Sequence, residues 1–219
     1  SDFGVFISHG TVDSGAILEA VRAKEFGALP EAMRAPAEEA YNALSQTRDG
    51  QLCDIIIDRA ALEAIERAGQ ASDSELIRQY AELTVAAADI KTAVRCRRTG
   101  KPLEFIRRAL APCASLDVYQ LAKAAAEGDE AISDYLSLTD YAGAVPALEQ
   151  SPSAFERWCD NVIIESIRPQ QFLAFGIGPL AAYILGRENE IKTVRIILSG
   201  KRNDLPEASI RERVREMYV

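Results

Sequence analysis

The residues able to carry chemistry are few and far apart. There is one histidine, His9, set beside Gly10 in a loop-like stretch. An HExxH helix or a histidine-centred triad is therefore excluded, and His9 reads as a surface or capping residue. Four cysteines, Cys53, Cys96, Cys113 and Cys159, lie far apart with no CxxC. No His/Cys metal spacing can be completed, so reduced thiols acting as small apolar groups are expected. Two Gly-Lys pairs, Gly100-Lys101 and Gly200-Lys201, lack the rest of a phosphate loop. Arg95 and Arg195 stand where its first glycine belongs, and Pro102 and Arg202 follow the lysines. Paired carboxylates such as Glu38/Glu39 and Asp54/Asp58 read as solvated faces and helix-start partners rather than a convergent acid/base pair. Neither a cofactor nor a metal is implied.

Charge is placed unevenly. The 219-residue chain carries a net charge of −8, yet Lys91, Arg95, Arg97, Arg98, Lys101, Arg107 and Arg108 face only Glu104 between positions 91 and 108. Such a strip either meets an acidic partner or satisfies helix C-terminal carbonyls and the helix dipole. Nucleic acid is a poor fit, because the strip lacks interleaved aromatics and the chain is acidic. Ser1 to Gly15 shows no basic start followed by an apolar run. The longest uncharged stretch, Pro169 to Gly186, is broken by Pro169, Gly176, Gly178 and Pro179, so no transmembrane helix is expected. The start at Ser1-Asp2-Phe3, without a methionine, suggests a piece of a longer protein.

The elements that would position these residues are helical. Apolar residues recur at three and four with little alternation, which predicts an all-α protein without a sheet. The strongest segment is Ser72 to Thr99. Ser72 and Glu75 are spaced as a capping box, and Leu76, Tyr80, Leu83, Ala87, Ile90 and Val94 form one stripe. Gly100 and Pro102 then end the helix. Further helices are predicted at 14–25, 31–45, 58–68, 103–110, 115–126, 131–136 and 142–149. Another runs from Ser151-Pro152 to about Phe175 with a kink at Pro169, then one from Gly178-Pro179 to Leu198, and a last one from Pro206.

An internal echo spans 100 residues. Val94-Arg95 and Gly100-Lys101 match Val194-Arg195 and Gly200-Lys201, with Asp89 like Asn189. Leu29-Pro30-Glu31-Ala32 also matches Leu205-Pro206-Glu207-Ala208. Together these favour tandem copies of a helical unit. On the helix from Pro179, Leu180, Ile184, Ile191, Val194 and Leu198 form a stripe that contains Arg187, with Glu190 at its edge and in reach to pair. A buried structural pair is the first reading, and a surface awaiting a partner the second. The final helix, with Glu207, Arg211, Glu212, Arg213, Arg215 and Glu216 around Ile210, Val214 and Met217, reads as solvated and amphipathic.

The run Tyr183-Ile184-Leu185-Gly186-Arg187-Glu188-Asn189-Glu190-Ile191-Lys192-Thr193-Val194-Arg195-Ile196-Ile197-Leu198-Ser199-Gly200-Lys201, followed by Leu205-Pro206-Glu207 and Ile210-Arg211-Glu212-Arg213, closely resembles the C-terminus of the C subunit of the V/A-type rotary ATPases, known in eukaryotes as the d subunit. Asp89 to Arg95 resembles that family's middle repeat, and Ile55-Ile56-Ile57-Asp58 the stretch closing its first. The resemblance covers essentially the whole chain and is closest to the bacterial and archaeal branch.

The resemblance implies three similar helical units around a pseudo-threefold axis, forming a funnel on the cytoplasmic face of the membrane proteolipid rotor ring. That funnel would receive the foot of the central shaft and transmit torque without catalysis or a small-molecule substrate. The units are expected at 1–70, the first incomplete because family members are longer at the N-terminus, then 71–150 and 151–219. Candidate partner contacts are Lys91, Arg95, Arg97, Arg98 and Lys101 on the strip, and Arg187, Glu190, Arg195, Lys201 and Arg211 near the C-terminus. The alternatives are a helical-repeat adaptor unconnected with ATPases and an all-helical enzyme using carboxylate-bound metal.

Overall fold

The structure, a computed structural model, describes residues 10–219, so His9 lies outside the described residues. Eleven α-helices and no strand occur among the described residues, which agrees with the all-α reading. The chain divides into two compact units, Ser1–Ala64 and Ile65–Val219.

In the first unit, α1 (Ser14–Ala23) starts where Asp13 Oδ2 accepts a hydrogen bond from the Ala16 N–H at 2.8 Å. It stops at Lys24, which takes the left-handed conformation (φ 59°) and lays its ammonium 5.3 Å from the Tyr41 ring centre. Tyr41 lies on α2 (Glu31–Thr47), which follows Pro30, and packs 5.6 Å from Phe26. The helix predicted from Asp58 starts eight residues earlier, as α3 (Gly50–Gln70). Asp49 Oδ1 accepts the N–H groups of Gln51 and Leu52 at 2.9 and 3.2 Å, which caps the chain there.

In the second unit, α4 (Glu75–Arg98) packs against α5 (Leu103–Ala109), α6 (Val118–Glu127) and α9 (Pro152–Ile167). Val85, Ala86, Asp89, Ile90 and Ala93 are fully buried along it, and Ile106, Leu110, Leu121, Ile132 and Leu136 complete the main core. The expected capping box does not form. Ser74 is the N-cap, Ser72 Oγ accepts from the Ser74 N–H, and the Glu75 carboxylate takes Arg78 and Gln79 instead. The helix predicted from Ser115 starts at Val118, because Asp117 caps Tyr119 and Gln120 while Ser115 is held by Glu82 on α4. Next come α7 (Asp129–Ser137) and α8 (Val145–Gln150), and Ser151 caps α9 by accepting from Ala154 at 3.0 Å, as its position before Pro152 predicts. The continuation of α9 to Phe175 does not occur. A 3-10 turn, Arg168–Phe172, contains Pro169, and the chain then opens at Gly176 (φ 97°) before α10 (Ile177–Arg202).

The echo is structural as well as sequential. After α4, Gly100 turns left-handed (φ 64°) and Pro102 leads the seven-residue α5, after which Leu110 runs extended. After α10, Asp204 turns left-handed (φ 52°), Pro206 leads the seven-residue α11 (Glu207–Arg213), and Val214 runs extended. Gly200 does not stop its helix as predicted. The cap prolines are 104 residues apart rather than 100, so α10 has one more turn at this end, and a whole turn preserves the facing of the residues before it.

Candidate functional site

The face α10 turns inward is made of small and polar residues. Ala182, Gly186, Asn189, Thr193 and Gly200 are its buried positions. A Cβ on Gly186 would lie 2.9 Å from the Tyr218 ring, and one on Gly200 2.6 Å from Ile210 Cγ1, so the missing side chains let α11 and the C-terminal segment lie close. Tyr218 joins Leu76, Ile164, Ile167 and Ala182 in a second core cluster.

Its large aliphatics point the other way. Leu180, Ile184, Ile191, Val194 and Leu198 form the predicted stripe, but they are 49–63% exposed, and Tyr183 and Ile177 extend the patch. An exposed stripe of this length is abnormal for a helix whose opposite face is already packed. Arg187 does pair with Glu190 within the stripe. The first reading, a buried structural pair, is corrected: the Arg187 side chain is 56% exposed. Glu190 is half-buried. Arg195 is exposed without an ion pair among the described residues, Lys201 is exposed, and Arg211 pairs with Glu207 at 2.6 Å in full solvent.

A cation that periodicity misses lies beneath. The sequence places Arg215 on a solvated face of the last helix, but α11 stops at Arg213 and Arg215 is buried. Its Nε donates to Asp160 Oδ2 at 2.7 Å, and Lys192 Nζ reaches the same oxygen at 2.5 Å. The segment is stitched further by Glu216 N–H to Asn161 Oδ1 at 3.0 Å, Arg168 to the Glu216 carboxylate at 2.8 Å, and Asn189 Nδ2 to the Glu216 carbonyl at 2.7 Å. Beside it a cavity of about 300 Å³ opens between α9, α10 and α11, lined by Glu156, Lys192, Arg195, Arg213 and Arg215 among others. No spacing rule marks Arg215, because the helix that would give its facing ends before it.

The basic strip is not gathered on one face. Arg95, Arg97 and Arg98 occupy the last turn of α4, where cations meet the negative end of the helix. Arg97 turns toward Gly128, with its Nε buried and unbonded. Arg98 lines a cavity of about 240 Å³ with Asp129 and Glu149. Lys101 lies 4.6 Å over the Phe105 ring, and Lys91 is half-buried. Arg95 is the strip's exposed cation on this turn beside Arg98.

The buried titratable groups serve structure. Cys113 and Cys159 are pushed up to about 12 by burial, as is Tyr141, whose hydroxyl bonds Ser115. Burial also acts to raise Glu82, but hydrogen bonds from the Ser115 hydroxyl and N–H and the Ala114 N–H outweigh it and hold the carboxyl below its ordinary value. The four cysteines are free, with Cys96 and Cys159 buried and Cys53 and Cys113 partly so. Among the described residues, no three His, Cys, Asp or Glu side chains gather as metal ligands, and no helix is long and apolar enough to cross a membrane.

The profile of the ATP synthase (C/AC39) subunit family matches residues 3–213. The C subunit of the V-type sodium ATPase of Enterococcus hirae is 22% identical over 222 residues, covering 98% of this chain and 66% of the relative. The C subunit of the V-type ATP synthase of Thermus thermophilus is 24% identical over 215 residues, covering 96% of this chain and 65% of the relative. The chain thus spans slightly less than two thirds of the length of these relatives. No solved structure matches the chain.

Proposed function

Because the chain belongs to the ATP synthase (C/AC39) subunit family, we propose that it acts as the C subunit of a V-type ATPase or ATP synthase, a non-catalytic central-stalk part that couples the rotating shaft to the membrane proteolipid ring. The observation that carries this reading is the outward aliphatic stripe of α10, on a helix whose inward face is already filled by α11 and Tyr218. A torque-bearing part needs contact surfaces on a frame that resists shear. The clamps of Asn189 on Glu216 and of Arg215 on Asp160 tie α9, α10 and the C-terminal segment into such a frame. Within the same reading the protein is peripheral on the cytoplasmic face. The repeated long helix, short helix and extended segment then belong to units at 71–150 and 151–219 of a pseudo-threefold funnel, with 1–70 contributing to the first.

The test is affinity purification of the tagged protein from detergent-solubilised membranes of its own cells. Shaft subunits and the proteolipid ring are expected in the eluate. An eluate holding neither ends the reading.

A further inference from the structure

We infer that the cavity between α9, α10 and α11 is a binding site for a phosphate monoester. Its wall carries four cations, Lys192, Arg195, Arg213 and Arg215. Asp160 engages two of them, accepting from Arg215 Nε at 2.7 Å and from Lys192 Nζ at 2.5 Å, and Glu156 lies 3.9 Å from Arg215. Arg195 and Arg213 are exposed and have neither an ion pair nor a side-chain hydrogen bond among the described residues. The carboxylates of α11 and the C-terminal segment are engaged elsewhere: Glu207 by Arg211, Glu212 by Ser151 and Gln150, and Glu216 by Arg168. From Lys192 to Arg215 the chain holds seven Lys/Arg against three Asp/Glu, a net of +4 within a chain of −8.

The donors decide the ligand. Four cations against the carboxylates of Glu156 and Asp160 leave the site at a net of +2. The hydroxyls of Ser153 and Ser199 also line it, and neither donates a hydrogen bond among the described residues. Two unengaged guanidinium forks and two hydroxyls suit an anion with several oxygens, and a phosphate monoester offers three on a charge of about −2. A carboxylate side chain, from a second copy or any other segment of protein, brings two oxygens and one charge, and a phosphodiester also brings one charge. Either leaves the site with positive charge in excess. Ile196, Leu205 and Ile210 form an apolar side of the same cavity, whose volume of about 300 Å³ admits a small organic body beyond the phosphate. A soluble phosphorylated metabolite and the headgroup of a lipid such as phosphatidic acid both present this group.

The test needs no assumption about a rotary complex. Glycerol 3-phosphate is the soluble probe, and phosphatidylcholine vesicles containing phosphatidic acid are the membrane probe, each offered to the whole protein. Calorimetric titration with glycerol 3-phosphate should saturate at one site per chain, with acetate about tenfold weaker or worse. Arg195→Ala and Arg213→Ala should each weaken binding about tenfold with the melting temperature unchanged, because both side chains are in water. Affinity should fall between about pH 7.5 and about pH 5 as the phosphate takes up its second proton, whereas protonation of Glu156 or Asp160 would strengthen it. Vesicle binding lost in Arg195→Ala/Arg213→Ala, without binding of glycerol 3-phosphate, identifies the group as a lipid headgroup, and the reverse identifies it as a soluble ligand. Saturation with neither probe, acetate binding as tightly as glycerol 3-phosphate, or affinity untouched by either variant overturns the inference. A dimer in sedimentation that Arg195→Ala/Arg213→Ala turns into a monomer assigns the cations to carboxylates of a second copy and overturns it as well.

Discussion

Asp89 and Asn189, 100 residues apart, perform one task on two helices. Asp89 on α4 accepts the backbone N–H of Ala111 at 2.9 Å, and Asn189 on α10 donates to the backbone carbonyl of Glu216 at 2.7 Å. In each case a buried side chain on a long helix catches the extended segment that returns after a seven-residue helix led by proline. The echo is therefore one folding device used twice, with the hydrogen bond reversed in sense.

Removing the Asp89 clamp leaves the buried Ala111 N–H without its partner, and removing the Asn189 clamp takes a hydrogen bond from the part-buried Glu216 carbonyl. Asp89→Ala and Asn189→Ala are each expected to lower the unfolding free energy by about 1–3 kcal/mol. Asp89→Asn, which keeps an acceptor oxygen, should cost less than Asp89→Ala. Urea denaturation followed by circular dichroism reads all three. Equal losses for Asn and Ala at position 89 would contradict the hydrogen bond as the cause.

Gly186→Ala opposes two effects. Alanine gains roughly 1 kcal/mol of helix propensity over glycine in an exposed helix. Here, however, its Cβ would approach the Tyr218 ring to 2.9 Å. Overpacking of that order costs about 1–3 kcal/mol. Net destabilisation is expected, reversed in part in Gly186→Ala/Tyr218→Ala relative to Tyr218→Ala alone. A stabilised single variant would show that Tyr218 does not lie on this face.

Arg215 is 3% exposed at its side chain and Asp160 14%; Asp160 is the near carboxylate of Arg215, with Glu156 farther off at 3.9 Å, and it holds Lys192 as well. Asp160→Ala is expected to cost about 3 kcal/mol, because it leaves the buried guanidinium only the Glu156 carboxylate at 3.9 Å and the Arg213 carbonyl. Replacing both, as Asp160→Ala/Arg215→Met, should recover much of that loss. A double variant no more stable than Asp160→Ala would argue against the pair.

Stability should fall at both pH extremes for separate reasons. Cys113, Cys159 and Tyr141 are raised to about 12 in the fold. Their contribution is complete below the ordinary thiol and phenol values and is lost as pH rises through about 12, since the unfolded chain ionises first. Glu82 is lowered in the fold. Its contribution is present above the ordinary carboxyl value and lost as pH falls below it. Glu82→Gln should flatten the acid limb of a pH titration of melting temperature and leave the alkaline limb unchanged.

Local chemistry is readable wherever the decisive group is close in sequence. Ser151-Pro152 starts α9, Gly100 turns left-handed, and the stripe on α10 lies at the expected positions. What periodicity lacks is a sign. It shows that Leu180, Ile184 and Ile191 share a face but not that this face points outward, which follows from Gly186 and Gly200 admitting Tyr218 and Ile210 on the other side. The same limit hides Arg215, whose burial depends on Asp160, 55 residues earlier. The Ser72 box fails because Glu75 finds Arg78 and Gln79, competitors one turn away. The strip from Lys91 to Lys101 is continuous in sequence, yet it winds around the end of α4, so its cations point in different directions.

The central claim is that the outward face of α10 is where this subunit meets its partners. Its most direct measurement is purification of the native complex from cells carrying tagged wild type or Ile184→Asp/Ile191→Asp, with the melting curves of the two isolated proteins alongside. Both sites are at the surface, so the curves should coincide while the variant emerges without its partner subunits. Recovery of the full complex with the variant would contradict the claim.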